Sequence, residues 1–260
     1  MELGLRGRRA IVTGASKGLG RAIARELAGE GVHLGICSRD EAEITAVAEE
    51  VRRAGVTVHA QVADVTDAEQ IHDLVGRSVE ALGGLDILVN NAGRARPGTF
   101  ETLTDQDWKE DLDVKLFSML RCSRAALPHL RATGGGRIIN INAIYAKHPE
   151  PAFFATTVNR AACLNFTKAL AIELAPESIL VNSVNIGNVV TAQWENIRAR
   201  QAPDLSPEEY YAKLAAKEIP LGRFGRDDEV SGLVAFLASD RASYITGASI
   251  DVAGGAGRYV

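Results

Sequence analysis

The 260-residue sequence has few of the features that mark several common classes of protein. Its three cysteines, Cys37, Cys122 and Cys163, are scattered and lack metal-ligand spacing, which indicates neither a disulfide framework nor a zinc site. No apolar run reaches the roughly 18 residues needed to span a bilayer. Basic residues do not dominate, since the formal net charge is -4 and the two signs are mixed along the chain. We therefore expect no metal, no membrane and no nucleic-acid partner.

The opening residues, MELGLRGRRAIVTGA, contain no long apolar segment followed by a cleavage site. Together with the cysteine usage, this leads us to expect a cytoplasmic protein that is not exported. The composition, 46% hydrophobic and 24% charged, is that of an ordinary globular protein. A chain of this size can bury one large core, so we predict a single domain over residues 1–260.

Short β-branched runs alternate with longer segments of helical period, which is the pattern of an α/β protein. The predicted strands are RRAIVTGA, HLGICS, TVHAQVAD, LDILVNNAG, GRIININ, LVNSVNIG and SIDVAGG. They are nearly continuous apolar runs, unlike the alternating strands of a half-exposed sheet. The sequence therefore predicts one doubly wound Rossmann-type domain, with a seven-stranded, mostly parallel sheet and helices on both faces. A segment over 188–206 reads as an irregular insertion.

A glycine-rich stretch, TGASKGLG, runs from Thr13 to Gly20, between the first predicted strand and the first predicted helix. Residues without side chains let backbone amides approach a pyrophosphate at the positive end of a helix. Such a turn is weak evidence alone, and a purely structural turn is the alternative.

The spacing of Gly14, Gly18 and Gly20 resembles the TGxxxGxG signature of the classical short-chain dehydrogenases/reductases. The NNAG motif at 90–93 matches the second hallmark of that family, and the resemblance runs from residue 8 to residue 255. It implies a nicotinamide dinucleotide cofactor, a small-molecule substrate and a substrate lid over about 188–217. It also implies a homotetramer or homodimer, assembled through helices near 104–131 and 153–175.

The resemblance assigns a set of cofactor-binding positions along the carboxyl ends of the predicted strands. They are Gly14, Ser16, Lys17, Gly18, Leu19, Gly20, Ser38, Arg39, Asp64, Val65, Asn91, Ala92, Gly93, Arg160, Gly187 and Thr191. An acidic residue after the second strand would repel a 2'-phosphate, whereas this chain has Arg39 there. Arg39 and Lys17 can both contact a phosphate, so we predict NADP(H) over NAD(H). The alternative is that both cations are solvated surface residues.

The family's catalytic asparagine, serine, tyrosine and lysine are all replaced in this chain, by Lys115, Ala143, Thr156 and Arg160. No tyrosine is followed by a lysine four residues later, so a shift of register does not restore the pair. The threonine hydroxyl has a pKa far above tyrosine's value of about 10, so it can donate a hydrogen bond and orient a substrate but cannot be primed as a general acid. Arg160 stays protonated and can bind ribose hydroxyls.

Two residues are candidates for a substitute proton donor. Lys115 would lie near Arg160, and a neighbouring cation together with burial lowers a lysine's pKa; the alternative is a lysine that reaches solvent. Tyr145 would line the substrate side, as a wall first and an acid second. Three interpretations remain open: a reductase of iminium or conjugated substrates, a carbonyl reductase with a replacement acid, and a catalytically silent NADP(H)-binding protein.

Overall fold

A seven-stranded sheet forms the centre of the computed structural model, which describes residues 2–257. The strands are β1 (Arg9–Thr13), β2 (His33–Ser38), β3 (Val58–Val62), β4 (Ile87–Asn90), β5 (Gly136–Ala143), β6 (Ile179–Ile186) and β7 (Ser249–Val252). Their order is β3-β2-β1-β4-β5-β6-β7, and every neighbouring pair is parallel. The predicted fold class is confirmed. Each apolar run from which a strand was predicted overlaps one of the seven observed strands.

Helices cover both faces of the sheet. They are α1 (Gly18–Gly29), α2 (Glu41–Arg52), α3 (Ala68–Leu82), α4 (Asp105–Leu112), α5 (Ser118–Ala132), α6 (Phe154–Leu174), α7 (Ala192–Gln201), α8 (Pro207–Glu218) and α9 (Asp227–Ala238). Residues of α1, α2 and α9, among them Ile23 and Val234, belong to one apolar core. Residues of α3, α5 and α6, among them Leu74 and Leu130, belong to a second core. Because both faces are covered, the strands are apolar along nearly their whole length.

The segment over 188–206 is not irregular, and that part of the prediction was wrong. It contains α7, and α8 begins at the next residue. Ser206 caps α8 and forms a reciprocal capping box with Glu209, while Pro207 occupies the start of the helix. These are ordinary signals for the beginning of a helix. The sequence SPEE carries them, so the second helix could have been predicted.

The long helix expected to run through Leu130 is interrupted. Between α4 and α5, residues Asp113–Phe117 form a π-helical segment, and this segment carries Lys115. A π segment inserts an extra residue into a turn, changes which side chains share a helix face, and is frequent at functional sites. The interruption therefore sets the direction in which Lys115 leaves the helix.

The sheet order creates a crevice where the direction of the winding changes. β1 and β4 are neighbours, and the chain leaves them toward opposite halves of the sheet. In doubly wound sheets, ligands bind outside the carboxyl ends of the strands at this point. Here the glycine-rich loop follows β1, and residues 91–93 of the NNAG motif follow β4.

Residues 2–257 contain neither a helix that could span a membrane nor a cluster of side chains that could bind a metal ion. No helix in that range combines the length and the apolar character that crossing a membrane requires. No three histidine, cysteine or acidic side chains there are grouped so as to hold a metal ion. The three cysteines are buried, free thiols.

Candidate active site

A cavity of about 750 Å³ occupies the crevice, and all of the positions assigned to the cofactor line it. Tyr145, Thr156 and Arg160 line it too. Lys115 is not among the lining residues, because its side chain is fully buried behind the wall. The structure thus brings the assigned residues together, while their contacts with a cofactor stay a prediction.

Glycine is required in the loop by close packing against the NNAG motif. Gly14 has a φ of 64°, and a Cβ there would lie 2.9 Å from the Cα of Ala92. A Cβ on Gly20 would lie 2.1 Å from the carbonyl oxygen of Gly14. The side chain of Asn91 donates hydrogen bonds to the carbonyl oxygens of Thr13 and Gly14, at 2.9 and 3.0 Å. The two motifs therefore support one another.

The first turn of α1 is suited to an anion. Lys17 is the N-cap residue, and its side chain makes no capping hydrogen bond to that turn. Gly18, Leu19 and Gly20 line the cavity. Free amides at a helix start and the positive end of the helix dipole favour a phosphate group. These features fit the pyrophosphate of a dinucleotide.

The far end of the cavity carries charged side chains after β2 and β3. Arg39 lies there, 69% exposed, with its guanidinium 3.9 Å from the carboxylate of Asp64. Ser38 and Val65 complete this end of the lining. An exposed arginine beside a cavity is free to turn toward a phosphate, so the residues present fit a dinucleotide that carries a 2'-phosphate.

Arg160 is a fixed cation in the inner part of the cavity. Its Nη1 donates to the carbonyl oxygen of Ile141 at 2.9 Å, and Asn142 donates from its side chain to the carbonyl oxygen of Arg160 at 3.1 Å. The Nε has no hydrogen-bond partner among residues 2–257. A Cβ at Gly93 would lie 3.2 Å from Nη2, so this glycine leaves room for the guanidinium. Burial lowers the pKa of Arg160, but an arginine stays charged.

Lys115 forms an ion pair with Asp111, one turn earlier on the same helical stretch. Lys115 is 0% and Asp111 1% exposed, so this lysine does not reach solvent. Burial and the nearby charge of Arg160 lower the pKa of Lys115 to about 8, although Asp111 acts in the opposite direction. The pKa is thus lowered by the two causes that the sequence suggested.

Asp111 connects the buried lysine with the cavity wall. Its Oδ1 accepts from Lys115 Nζ and, at 3.3 Å, from the hydroxyl of Thr156. Its Oδ2 accepts from the side chain of Asn159 at 2.8 Å. The hydroxyl of Thr156 also accepts from the backbone amide of Arg96 at 3.1 Å, which fixes its position. A continuous hydrogen-bonded chain therefore runs from Lys115 to a residue that lines the cavity.

Asp111 and Asn159 were not among the site residues predicted from the sequence. The pairing of Asp111 with Lys115 could have been predicted from the sequence, because an acidic residue four positions before a lysine shares its helix face. Asn159 had none, since only the packing of α6 against α4 brings it to the carboxylate.

Tyr145 lies in the cavity wall, where its ring stacks on Phe153 with centroids 5.6 Å apart. Burial, reinforced by the charges of Glu150 and Glu218, raises the pKa of Tyr145 to about 12. A higher pKa makes the phenol a weaker acid. The environment of Tyr145 therefore suits a wall better than a proton donor.

The aromatic residues of the lid divide between two roles. Trp194 lines the cavity, and its ring lies 5.1 Å from that of Phe224. Tyr211 also packs on Phe224, at 4.7 Å, and its hydroxyl bonds Glu195. Tyr210 contacts Tyr211 edge-on. Of the three, only Trp194 lines the cavity, while the two tyrosines contact one another and Tyr211 packs on Phe224.

Comparison with known proteins places this arrangement in a large family. The family model described as enoyl-(acyl carrier protein) reductase matches residues 14–257. The putative ketoacyl reductase of the monensin polyketide synthase from Streptomyces virginiae is 38% identical, over 96% of this chain and 97% of its own.

Two solved structures are closely similar to this chain in fold. L-sorbose reductase from Gluconobacter frateurii, complexed with NADPH and L-sorbose, has a TM-score of 0.97 and 32% identity, over 100% of both chains. An NADPH-bound short-chain oxidoreductase from Pseudomonas aeruginosa PAO1, described as containing an atypical catalytic center, has a TM-score of 0.90 and 37% identity. That match covers 97% of this chain and 98% of the other.

The fold and the crevice define a dinucleotide-binding protein of the Rossmann type. With a family model over nearly the whole chain and relatives above 30% identity, the chain belongs to the classical short-chain dehydrogenase/reductase family.

Proposed function

We propose that this protein is an NADP(H)-dependent oxidoreductase that uses a proton donor different from the family's tyrosine. The observation that carries the proposal is the hydrogen-bonded chain from buried Lys115 through Asp111 to Thr156 at the cavity wall. A catalytically silent protein would not need a buried ion pair there, since removing two charges from water is costly.

The cofactor proposed is NADP(H), which when bound supplies or accepts a hydride. Arg39 and Lys17 offer positive charge at the ribose end, and the glycine-rich loop offers helix amides to the pyrophosphate. The solved relatives from Gluconobacter frateurii and Pseudomonas aeruginosa hold NADPH, which supports the same choice for this chain.

The proton proposed for the substrate starts on Lys115. The hydroxyl of Thr156, which donates to Asp111 in the structure, turns and gives its proton to the substrate oxygen or nitrogen. At the same time Lys115 passes a proton to the carboxylate of Asp111, which passes it on to the oxygen of Thr156, and the neutral Lys115 regains a proton from solvent before the next turnover. A threonine is too weak an acid to act alone, but it can pass a proton on when it receives one at the same time. A lysine whose pKa is about 8 is protonated near neutral pH and is a much stronger acid than an ordinary lysine.

Arg160 has a separate electrostatic role in this proposal. It carries a charge that no carboxylate neutralises within hydrogen-bond distance among the described residues, and it lines the cavity. A fixed cation stabilises the negative charge that develops when hydride reaches a carbonyl or conjugated system. Arg160 is also near enough to Gly93 to hold a ribose hydroxyl.

The substrate proposed is a small molecule with a carbonyl, an imine or a conjugated double bond. Trp194 and Tyr145 give the cavity two aromatic walls, which suit a flat or apolar compound. We further propose a cytoplasmic homotetramer or homodimer, as the family resemblance implies.

The first experiment titrates the purified protein with NADPH and with NADH, following nicotinamide fluorescence, and then its decay over a panel of carbonyl, imine and enone compounds. Tight NADPH binding with decay on one class supports a reductase of that class. Binding without decay on any class supports the alternative, a catalytically silent NADP(H)-binding protein. Absence of NADPH binding contradicts both.

The proton path is tested with Thr156→Val, which removes the hydroxyl and keeps the shape. We expect kcat to fall about 100-fold, because general acid catalysis contributes on that order, and Thr156→Ser to restore most of it. Thr157→Val is the matched control, since the hydroxyl of Thr157 bonds the backbone of Glu150 and lies outside the cavity.

The pH profile tests the source of the proton. Reduction by the wild-type protein should slow above about pH 8, where Lys115 loses its proton. Lys115→Met should lower kcat and remove this limb of the profile. Unchanged turnover in Lys115→Met, or a limb that persists in it, contradicts the path.

A further inference from the structure

Glu43 occupies an unexpected position beside the glycine-rich loop. It lies in the first turn of α2, and its carboxylate reaches across to that loop. One oxygen accepts from the hydroxyl of Ser16 at 2.9 Å, and the other pairs with Lys17 Nζ at 3.0 Å. Glu43 itself lines the cavity.

The cationic side chains at this end of the cavity are therefore matched by carboxylates. Lys17 is paired with Glu43, and Arg39 lies 3.9 Å from Asp64. The two pairs differ in strength, because 3.9 Å is too long for a hydrogen bond whereas 3.0 Å is not. Lys17 is thus hydrogen-bonded to its carboxylate partner, whereas Arg39 is not.

We propose that Glu43 is a specificity-determining residue that weakens the preference for NADPH over NADH. The inference rests on the proposed NADP(H) cofactor. A 2'-phosphate that binds Lys17 must share that cation with Glu43 and approach its negative charge. A 2'-hydroxyl, by contrast, meets no such repulsion, and a carboxylate can accept its hydrogen bond.

The size of the effect follows from the exposure of the pair. The side chain of Lys17 is 66% exposed and that of Glu43 38% exposed, so solvent and salt screen their charges. Charges a few ångströms apart near a protein surface still interact appreciably. Removing the charge of Glu43 should tighten binding of a 2'-phosphorylated nucleotide by about fivefold.

The experiment measures dissociation constants of 2',5'-ADP and of 5'-AMP by calorimetry, for the wild-type protein and Glu43→Gln. The probes differ only in the 2'-phosphate and need no turnover. We expect 2',5'-ADP to bind Glu43→Gln about fivefold more tightly, with little change for 5'-AMP, and the gain to shrink in 1 M salt.

Glu41→Gln is the matched control, because Glu41 lies in the same first turn of α2 but does not line the cavity. The role of Glu43 is overturned if both variants bind 2',5'-ADP more tightly by the same factor. It is also overturned if Glu43→Gln binds 2',5'-ADP as the wild type does or more weakly. Either result leaves the proposed function standing. A wild-type protein that binds 2',5'-ADP no better than 5'-AMP, with Glu43→Gln doing the same, overturns the cofactor assignment as well.

Discussion

Replacing one member of the buried Asp111–Lys115 pair should destabilise the protein far more than replacing both. Lys115→Met leaves the carboxylate of Asp111 in a site that is 1% exposed, with hydrogen bonds only from Asn159 and Thr156 among the contacts described. Breaking a buried pair in this way costs about 3–5 kcal/mol. The remaining hydrogen bonds and the nearby Arg160 favour the lower end of that range, about 3 kcal/mol.

The double variant removes both charges while nearly keeping the volume. Asp111→Asn keeps one oxygen that can accept from Asn159, its NH2 group can donate to the hydroxyl of Thr156, and methionine fills the space of the lysine stem. Replacing a buried pair by neutral groups is often close to neutral, so we expect a loss of about 1 kcal/mol or less. The effects of the two substitutions on the free energy of unfolding should therefore differ from additivity by several kcal/mol. At independent sites such effects add to within about 0.5 kcal/mol.

The assay is thermal unfolding followed by circular dichroism at one protein concentration and neutral pH. For a chain of this length 1 kcal/mol corresponds to about 2 °C, so Lys115→Met should melt about 6 °C lower and the double variant near the wild type. The exposed pair Asp73–Arg77 has the same spacing and should show no coupling in Asp73→Asn/Arg77→Met. Additive losses at Asp111 and Lys115 would refute the reasoning.

Two further outcomes follow from the same structure. Gly20→Ala should abolish dinucleotide binding and destabilise the protein by about 1–3 kcal/mol. The reason is that the new Cβ would lie 2.1 Å from the carbonyl oxygen of Gly14. In the control Gly29→Ala, on the same helix, the new Cβ meets no atom within 4 Å, and this variant should bind the dinucleotide as the wild type does. Since the pKa of Lys115 is lowered to about 8, the native state loses this proton before the unfolded state does. Stability relative to Asp111→Asn/Lys115→Met should therefore rise from pH 8 toward 10, as urea titrations would measure, and a flat difference would contradict the lowered pKa.

Much of the fold could be predicted from local patterns. The apolar runs marked the seven strands because a parallel sheet covered on both faces needs apolar residues at nearly every position. The glycine-rich loop and NNAG motif could be assigned to the crevice for a related reason, since the carboxyl ends of β1 and β4 meet there. The helices of the lid were missed although SPEE marks the start of one of them.

The candidate site could be predicted from the sequence only in part. The sequence by itself shows that no tyrosine stands four residues before a lysine, and it led to the prediction that Lys115, Thr156 and Arg160 stand at the family's asparagine, tyrosine and lysine positions. Only the tertiary structure decided that Lys115 lies behind the wall and that Asp111 connects it to Thr156, and likewise that Glu43 reaches Lys17. Residue identity and periodicity are local, whereas burial and hydrogen bonding across α4, α6 and the loops depend on how distant segments pack.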